Sequence, residues 1–421
     1  MRDLKHAFSV QAASADSLIL KLCDGEFQCS ETGILEDIAV WLEQNVAEIT
    51  EVIQAERSLL ICFDLLQTCS ASLMQRLPEL LKQSVTERKP VSETFVPKDK
   101  KTQCTVGQEQ GFHVIHPGLM SRFQNTGITG ARSNGSSSGG AADEHAYYWA
   151  NHLLQNRWNA GAVEVCFGGL KLQSQVDTLI AVTGADLSLM INDQPAPGWE
   201  ILPVRAGDRI EFGYPKNGTR AYLAVKGGFS VQAGSTGMVC EPSDNNAGIP
   251  LAKTLRFGDL LACSEQEHRI DKALQGLIGK RVSNSYIPDY GEPLVLRVIL
   301  AEQAGHFTPD QLDLFFNQCW EIRPDSDTSA TTLNGCQLKS LYPVAPLQGA
   351  EVGRIQLDDD CQPVILMQDR QRLTDRPVIG YVYPPDLGLL AQRQPKTTLS
   401  FRVISLYEAQ LQLKRFYRYF K

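Results

Sequence analysis

The chain has 421 residues, 43% of them apolar, and a net charge of −8. That length supports two or three domains, each with its own core, and the apolar fraction argues against disorder. The acidic balance disfavours a general nucleic-acid binder, and no apolar run approaches the roughly 20 residues of a membrane helix.

The opening residues, Met1 to His6, lack the apolar stretch of a secretory signal, so cytoplasm is the expected location. Eleven cysteines are scattered with no CxxC pair. In a chain of this size they are expected as reduced thiols, with Cys62, Cys166 and Cys263 inside apolar runs, rather than as a disulfide scaffold or a zinc site.

In chain order, residues 1–85 read as a compact α+β unit. His6–Val10 and Ser17–Leu22 have strand character, and Ser58–Phe63 is a β-rich apolar strand. Ile34–Ala55 reads as one long helix with Ile34, Ile38, Trp41, Leu42, Ile49 and Ile53 facing inward. Ser70 opens a second helix carrying Leu73, Leu77 and Leu81. The order suggests a small ferredoxin-like sandwich.

Residues 86–110 have linker composition, with Pro90, Pro97 and the cluster Lys98-Asp99-Lys100-Lys101. From Gly111 onward the pattern becomes short strands separated by Gly-rich turns. Arg205-Ala206-Gly207-Asp208 has an echo at Arg256-Phe257-Gly258-Asp259 and a weaker one at Gln394–Phe401. Repeated strand-turn units predict closed or partly closed β-barrels, divided here as 111–270 and 271–421. Helices are predicted over 143–154 and 308–317, the latter with Thr308 as N-cap and Pro309 at the first position. Leu406, Ala409 and Leu413 recur at helical spacing in a final amphipathic helix docked on the body.

Several ordered motifs carry a resemblance. Ile115-His116-Pro117-Gly118-Leu119 is followed by Thr183-Gly184-Ala185-Asp186, Arg205–Phe212 and Arg220–Phe229. Together they resemble the carboxyltransferase-domain family, also called allophanate hydrolase subunit 2, which includes the C subunit of the 5-oxoprolinases. The resemblance runs over about residues 112–405. Asp16–Leu20 and Arg57–Asp64 resemble the opening subdomain of the 5-oxoprolinase B subunit, without the barrel that follows it in that family. The resemblance implies two tandem cyclophilin-like β-barrel halves behind the small α+β domain, in a mostly β protein.

Candidate site residues follow. The loop Ser133–Asp143 places Gly139 and Gly140 before a helix N-terminus, a place suited to an anion or substrate; its Gly-Gly-Ala-x-Asp pattern, ending at Asp143, resembles the family's. Glu164 lies on an apolar strand and needs a partner, for which Arg220 or Arg205 is available. Asp186, after Thr183, is either a buried acid or a turn aspartate. Asp143, Glu164 and Asp186 are the candidate catalytic carboxylates, since two acids in unequal environments can supply both acid and base. Gly139, Gly140, Thr183, Gln356 and Asp369 are the candidate substrate contacts. His116 replaces a family Arg and is expected to be structural. No nucleophile with its base, no metal set and no Walker lysine loop is present.

The second half departs from the family. Asp327–Gly335 lacks both family arginines, Leu347-Gln348 stands for a Ser-Glu pair, and Asp369–Arg376 lacks a Gly-Gly-Tyr turn. Two functions stay open besides the biotin-dependent urea-carboxylase branch of the family, for which no biotinyl Met-Lys-Met site is present. One is a component of a complex that hydrolyses a small cyclic or linear amide. Its partners would be the 5-oxoprolinase-type A subunit and a full B subunit, and ATP is implied by resemblance. The other is a non-catalytic regulatory or binding protein, like relatives that act on a sporulation histidine kinase.

Overall fold

A computed structural model of the chain describes residues 8–23, 32–86, 110–125, 140–230, 254–263, 272–342 and 345–421. The segment expected as a linker, residues 86–110, falls almost wholly outside them, as does Gly139.

Strands Phe8–Ala12, Ser17–Leu22, Ser58–Phe63 and Ile49–Gln54 form one antiparallel sheet in that spatial order. Helices α1 (Thr32–Asn45) and α2 (Ser70–Thr86) cover one face. The long helix expected over 34–55 is two elements. It stops at Asn45, and Ile49–Gln54 is a strand, because the β-branched run Ile49, Thr50, Val52, Ile53 fits a pleat better than a helix interior. The ferredoxin-like expectation also needs correction. Each helix here follows a hairpin, giving the order ββαββα, whereas that fold interleaves strand and helix as βαββαβ.

Ser17–Leu22 and Ser58–Phe63 are buried on both faces, as near-continuous apolar strands require. Leu18, Leu20, Leu59 and Ile61 pack under α1 and α2. Ile19, Ile53 and Leu60 pack the other way, against Val378 and Tyr381. The first unit therefore shares its core with the last part of the chain instead of standing independent of it.

The described residues between 111 and 263 form two sheets around one core. A seven-stranded sheet includes Gly111–Pro117, Leu170–Ser174, Arg209–Glu211 and Leu260–Cys263. A five-stranded sheet runs Ile201–Val204, Thr178–Asp186, Asn217–Val225, Ala162–Cys166, Met120–Gln124. Isolated bridges, Arg122↔Thr254 and Gly161↔Phe229, link their edges where no continuous ladder does among the described residues, so this half is a partly closed sandwich. The repeated turns have the expected chemistry. Gly207 and Gly258 take φ of +96° and +82°, while Asp208 and Asp259 accept from the amides of Arg205 and Arg256 at 2.7 and 2.8 Å.

Helix α3 (Glu144–Leu153) lies on the five-stranded sheet, and the short α4 (Lys272–Gln275) leads into the second half. There seven strands close a barrel, completed by parallel pairing of Leu294–Leu300 with Thr398–Val403. In place of the two tandem barrels expected stand one sandwich and one closed barrel. Helix α5 (Pro309–Asn317) has Thr308 as N-cap and Pro309 in the first turn. Helix α6 (Pro384–Ala391) meets α3, and α7 (Leu406–Phe420) packs Ala409 and Leu413 into the core of the first unit. Its far end stacks on α3, with ring centroids of Tyr148 and Phe420 5.4 Å apart. Among the described residues no helix is long and apolar enough to cross a membrane.

Candidate functional site

Two of the candidate carboxylates come together where the sandwich meets the barrel. Asp143 caps α3 in an extended conformation, and its Oδ1 accepts from the amide of Ala146 at 3.1 Å. Its Oδ2 accepts from Tyr290 Oη at 3.0 Å and from Gln392 Nε2 at 2.8 Å. Glu164, on the strand Ala162–Cys166, uses Oε2 to accept from Tyr222 Oη at 2.6 Å and from the amide of Ala142 at 3.1 Å. Tyr222 Oη in turn accepts from the amide of Asp143 at 2.8 Å. Asp143 and Glu164 are only 2% and 3% exposed.

These partners answer the need of a buried carboxylate, but they are not the expected arginines. Arg220 donates instead to the carbonyl of Ala391 and to Thr219 Oγ1, and Arg205 lies at an exposed turn. Burial first, then the charges of Glu164 and Asp143, holds the Tyr222 hydroxyl well above its ordinary pKa. Burial and Asp143 do the same for Tyr290. Both phenols therefore stay donors. Gln392 completes the joint, since its Oε1 accepts from the amides of Thr219 and Arg220 at 2.9 and 2.8 Å. The arrangement is a lock between the halves, in which the protein itself supplies the donors to both carboxylates.

The remaining candidates are dispersed. Thr183 Oγ1 donates to the carbonyl of Ala146 at 2.6 Å and pins α3 to the sheet. Asp186 is exposed, accepts from the amide of Ser188 at 2.9 Å, and borders a separate cavity of about 260 Å³. Gln356 accepts from Thr374 Oγ1 at 2.9 Å, and Asp369 is paired with Arg122 at 3.1 Å. His116 Nδ1 lies between the carbonyl of Gly169 and the amide of Gly118, at 3.0 and 3.1 Å, a local turn.

Gly140, with φ +107°, opens on a different space: a cavity of about 390 Å³ that the sequence did not disclose. Its walls are the turn at Ser14 and Asp16, the sheet edge at Glu51 and Asp64, the first turn of α3, the barrel loop at Glu351, and Lys421 beyond α7. Burial, then the charge of Glu351, pushes Asp16 up to about 6. Burial also raises Glu144, against the pull of Lys421. A carboxyl that titrates near neutrality, as Asp16 does, can serve as acid or base. No local spacing links these residues, so only the folded chain reveals them. Among the described residues no group of three His, Cys, Asp or Glu is placed to hold a metal ion.

The chain matches the family model described as "Carboxyltransferase domain, subdomain A and B" over residues 134–403. It is 31% identical to the 5-oxoprolinase C subunit of Haemophilus influenzae over 288 residues, which is 68% of this chain and 89% of that protein. A urea amidolyase of Lachancea kluyveri is 26% identical over 327 residues, 72% of this chain but 17% of that protein. The crystal structure of TTHA0988 has the same fold, with a TM-score of 0.70 at 16% identity over 92% of this chain and 99% of that one. On the extent of these matches the chain belongs to the carboxyltransferase-domain family, which includes the C subunit of 5-oxoprolinase.

Proposed function

We propose that the chain is a component of an ATP-dependent complex that hydrolyses an amide, of the 5-oxoprolinase type. The observation that carries this reading is the identity to a 5-oxoprolinase C subunit, which runs over 288 residues. Other subunits, of the A and B kinds, are the partners, and residues 1–85 stand in for part of the B kind. The cavity beside Gly140 is the proposed site, with Asp16 and Glu144 exchanging protons with the bound amide.

ATP does not fit this chain's own residues. The first turn of α3 is already occupied by the Asp143 and Glu164 carboxylates, and the cavity lining is mainly acidic, so a polyphosphate meets repulsion there. We assign the nucleotide to a partner in the complex. The internal bonding of Asp143 and Glu164 favours a second reading, a regulatory protein without chemistry of its own.

The test is phosphate release coupled to amide opening. It is measured for the purified chain, then with the A and B subunits of an intact system. Turnover only in the mixture, lost on Asp16→Asn, supports the enzyme reading. No turnover in either supports the regulatory one.

A further inference from the structure

The motif Pro117-Gly118-Leu119 has no part in the site described above. It meets two other turns, Phe167-Gly168-Gly169 and Phe212-Gly213-Tyr214, at one end of the sandwich. The three interlock through their backbones. A β-carbon on Gly168 would stand 1.8 Å from the carbonyl oxygen of Gly213, and one on Gly118 would stand 2.6 Å from that of Gly168. The amides of Leu119 and Gly169 donate to the carbonyls of Gly168 and Phe212 at 3.2 and 2.8 Å. Phe167 takes φ of +58°, a value that a residue with a side chain keeps only where its surroundings hold it. Turns fitted this tightly make a fixed floor.

Over that floor lies a cavity of about 400 Å³, the size of a small-molecule pocket. Leu119 and Tyr214 stand at its rim, 74% and 83% exposed, and Phe167, Met190 and Phe212 line it. Large apolar side chains left in water beside an apolar cavity mark a surface that binds something. The polar groups say what kind of molecule fits. Lys171 and Glu211 are the charged groups of the described lining. Glu211 Oε2 pairs with Lys171 Nζ at 2.6 Å, and its Oε1 is held by Arg209 at 3.2 Å. An ammonium has three N–H donors and the Lys171 side chain is 43% exposed, so it can serve a second carboxylate. With Glu211 shared by two cations, the ligand charge that complements this wall is negative.

We propose that this cavity binds a small amphipathic carboxylate, its hydrocarbon body on the glycine floor between Leu119 and Tyr214 and its carboxylate on Lys171. The site is apart from the cavity beside Gly140, and the proposal does not rest on the amide-hydrolysis reading.

The probe is sodium phenylbutyrate, titrated calorimetrically into the whole chain. Sodium acetate controls for the charge alone and phenylbutanol for the apolar body alone. The expected result is saturable binding of phenylbutyrate, with each control binding more weakly. Leu119→Ala combined with Tyr214→Ala truncates two exposed side chains, so thermal unfolding should be unchanged while binding weakens about tenfold. Lys171→Met keeps the aliphatic stem and loses the charge. It should weaken phenylbutyrate several-fold and leave phenylbutanol where it was. Absence of saturable binding to the wild type overturns the proposal and leaves the two exposed side chains to a protein contact. Equal binding of phenylbutanol, or phenylbutyrate binding that survives both variants unchanged, overturns it as well. Should Lys171→Met fail to fold, the paired alanine variant and the phenylbutanol comparison decide the matter.

Discussion

A β-carbon placed on Gly388 would stand 2.7 Å from Oδ1 of Asp143. Helix α6 therefore meets the first turn of α3 with no room for a side chain, and the carboxylate that caps α3 also bonds Tyr290 and Gln392. Gly388→Ala is expected to displace that carboxylate and destabilise the chain by about 1–3 kcal/mol. In an Asp143→Ala background the obstacle is gone. The two changes should then cost clearly less together than their sum in a double-mutant cycle by urea unfolding.

Tyr222→Phe removes one hydroxyl and leaves two buried groups short of a partner, the amide of Asp143 and Oε2 of Glu164. The expected loss is about 1–3 kcal/mol, measured by urea denaturation with an unchanged slope. A near-neutral result would mean that the lock between the halves is not held by this hydroxyl.

The extent to which this site was legible in sequence follows from chain distance. Asp143 and Glu164 stand out locally, one before a helix and one on an apolar strand. Their partners Tyr222, Tyr290 and Gln392 come from three other elements, the last 249 positions from Asp143. No periodicity connects them. The same holds for Asp16 and Lys421, which line one cavity only because α7 returns to the first unit. Local rules did better for local features. Pro309 opening α5, the positive-φ glycines of the repeated turns, and the spacing of Ala409 and Leu413 all stand as expected. The strand Ile49–Gln54 was obscured because its isoleucines continue the spacing of α1, and β-branching was the better guide.

Acidity at Asp16 gives a pH prediction. Burial and Glu351 raise its pKa in the folded chain from an ordinary 3.8 to about 6, with Lys421 opposing and Glu144 across the cavity. The folded state holds this proton more tightly than the unfolded state does. The resulting stability is complete below about pH 4 and is lost as pH rises through 6. Asp16→Asn should flatten that fall and raise stability at pH 7–8 by up to about 3 kcal/mol. Chemical denaturation at pH 4, 6 and 8 measures it, and a variant whose pH dependence matches the wild type refutes the assignment.

Thiol chemistry should divide the cysteines by burial. Burial pushes Cys166, with help from Glu164, and Cys263 up to about 12. Both are therefore thiols rather than thiolates at pH 8 and should resist iodoacetamide under native conditions. Among the described cysteines, Cys319 and Cys336 are exposed and should label first. Time-resolved alkylation read by mass spectrometry checks the order.

The bond from Gln410 Nε2 to the carbonyl of Ala15 joins positions 395 apart, and a second reaches Ser70. During synthesis at about 5–20 residues per second, the sheet of the first unit emerges tens of seconds before α7 does. Through that interval Ile19, Ile53 and Leu60 wait for Val378 and Tyr381, their packing partners in the finished fold. The newborn chain thus displays a sticky sheet face early and covers it late. Its yield in a cell should depend on holdase chaperones, and slower translation of the second half should lower it.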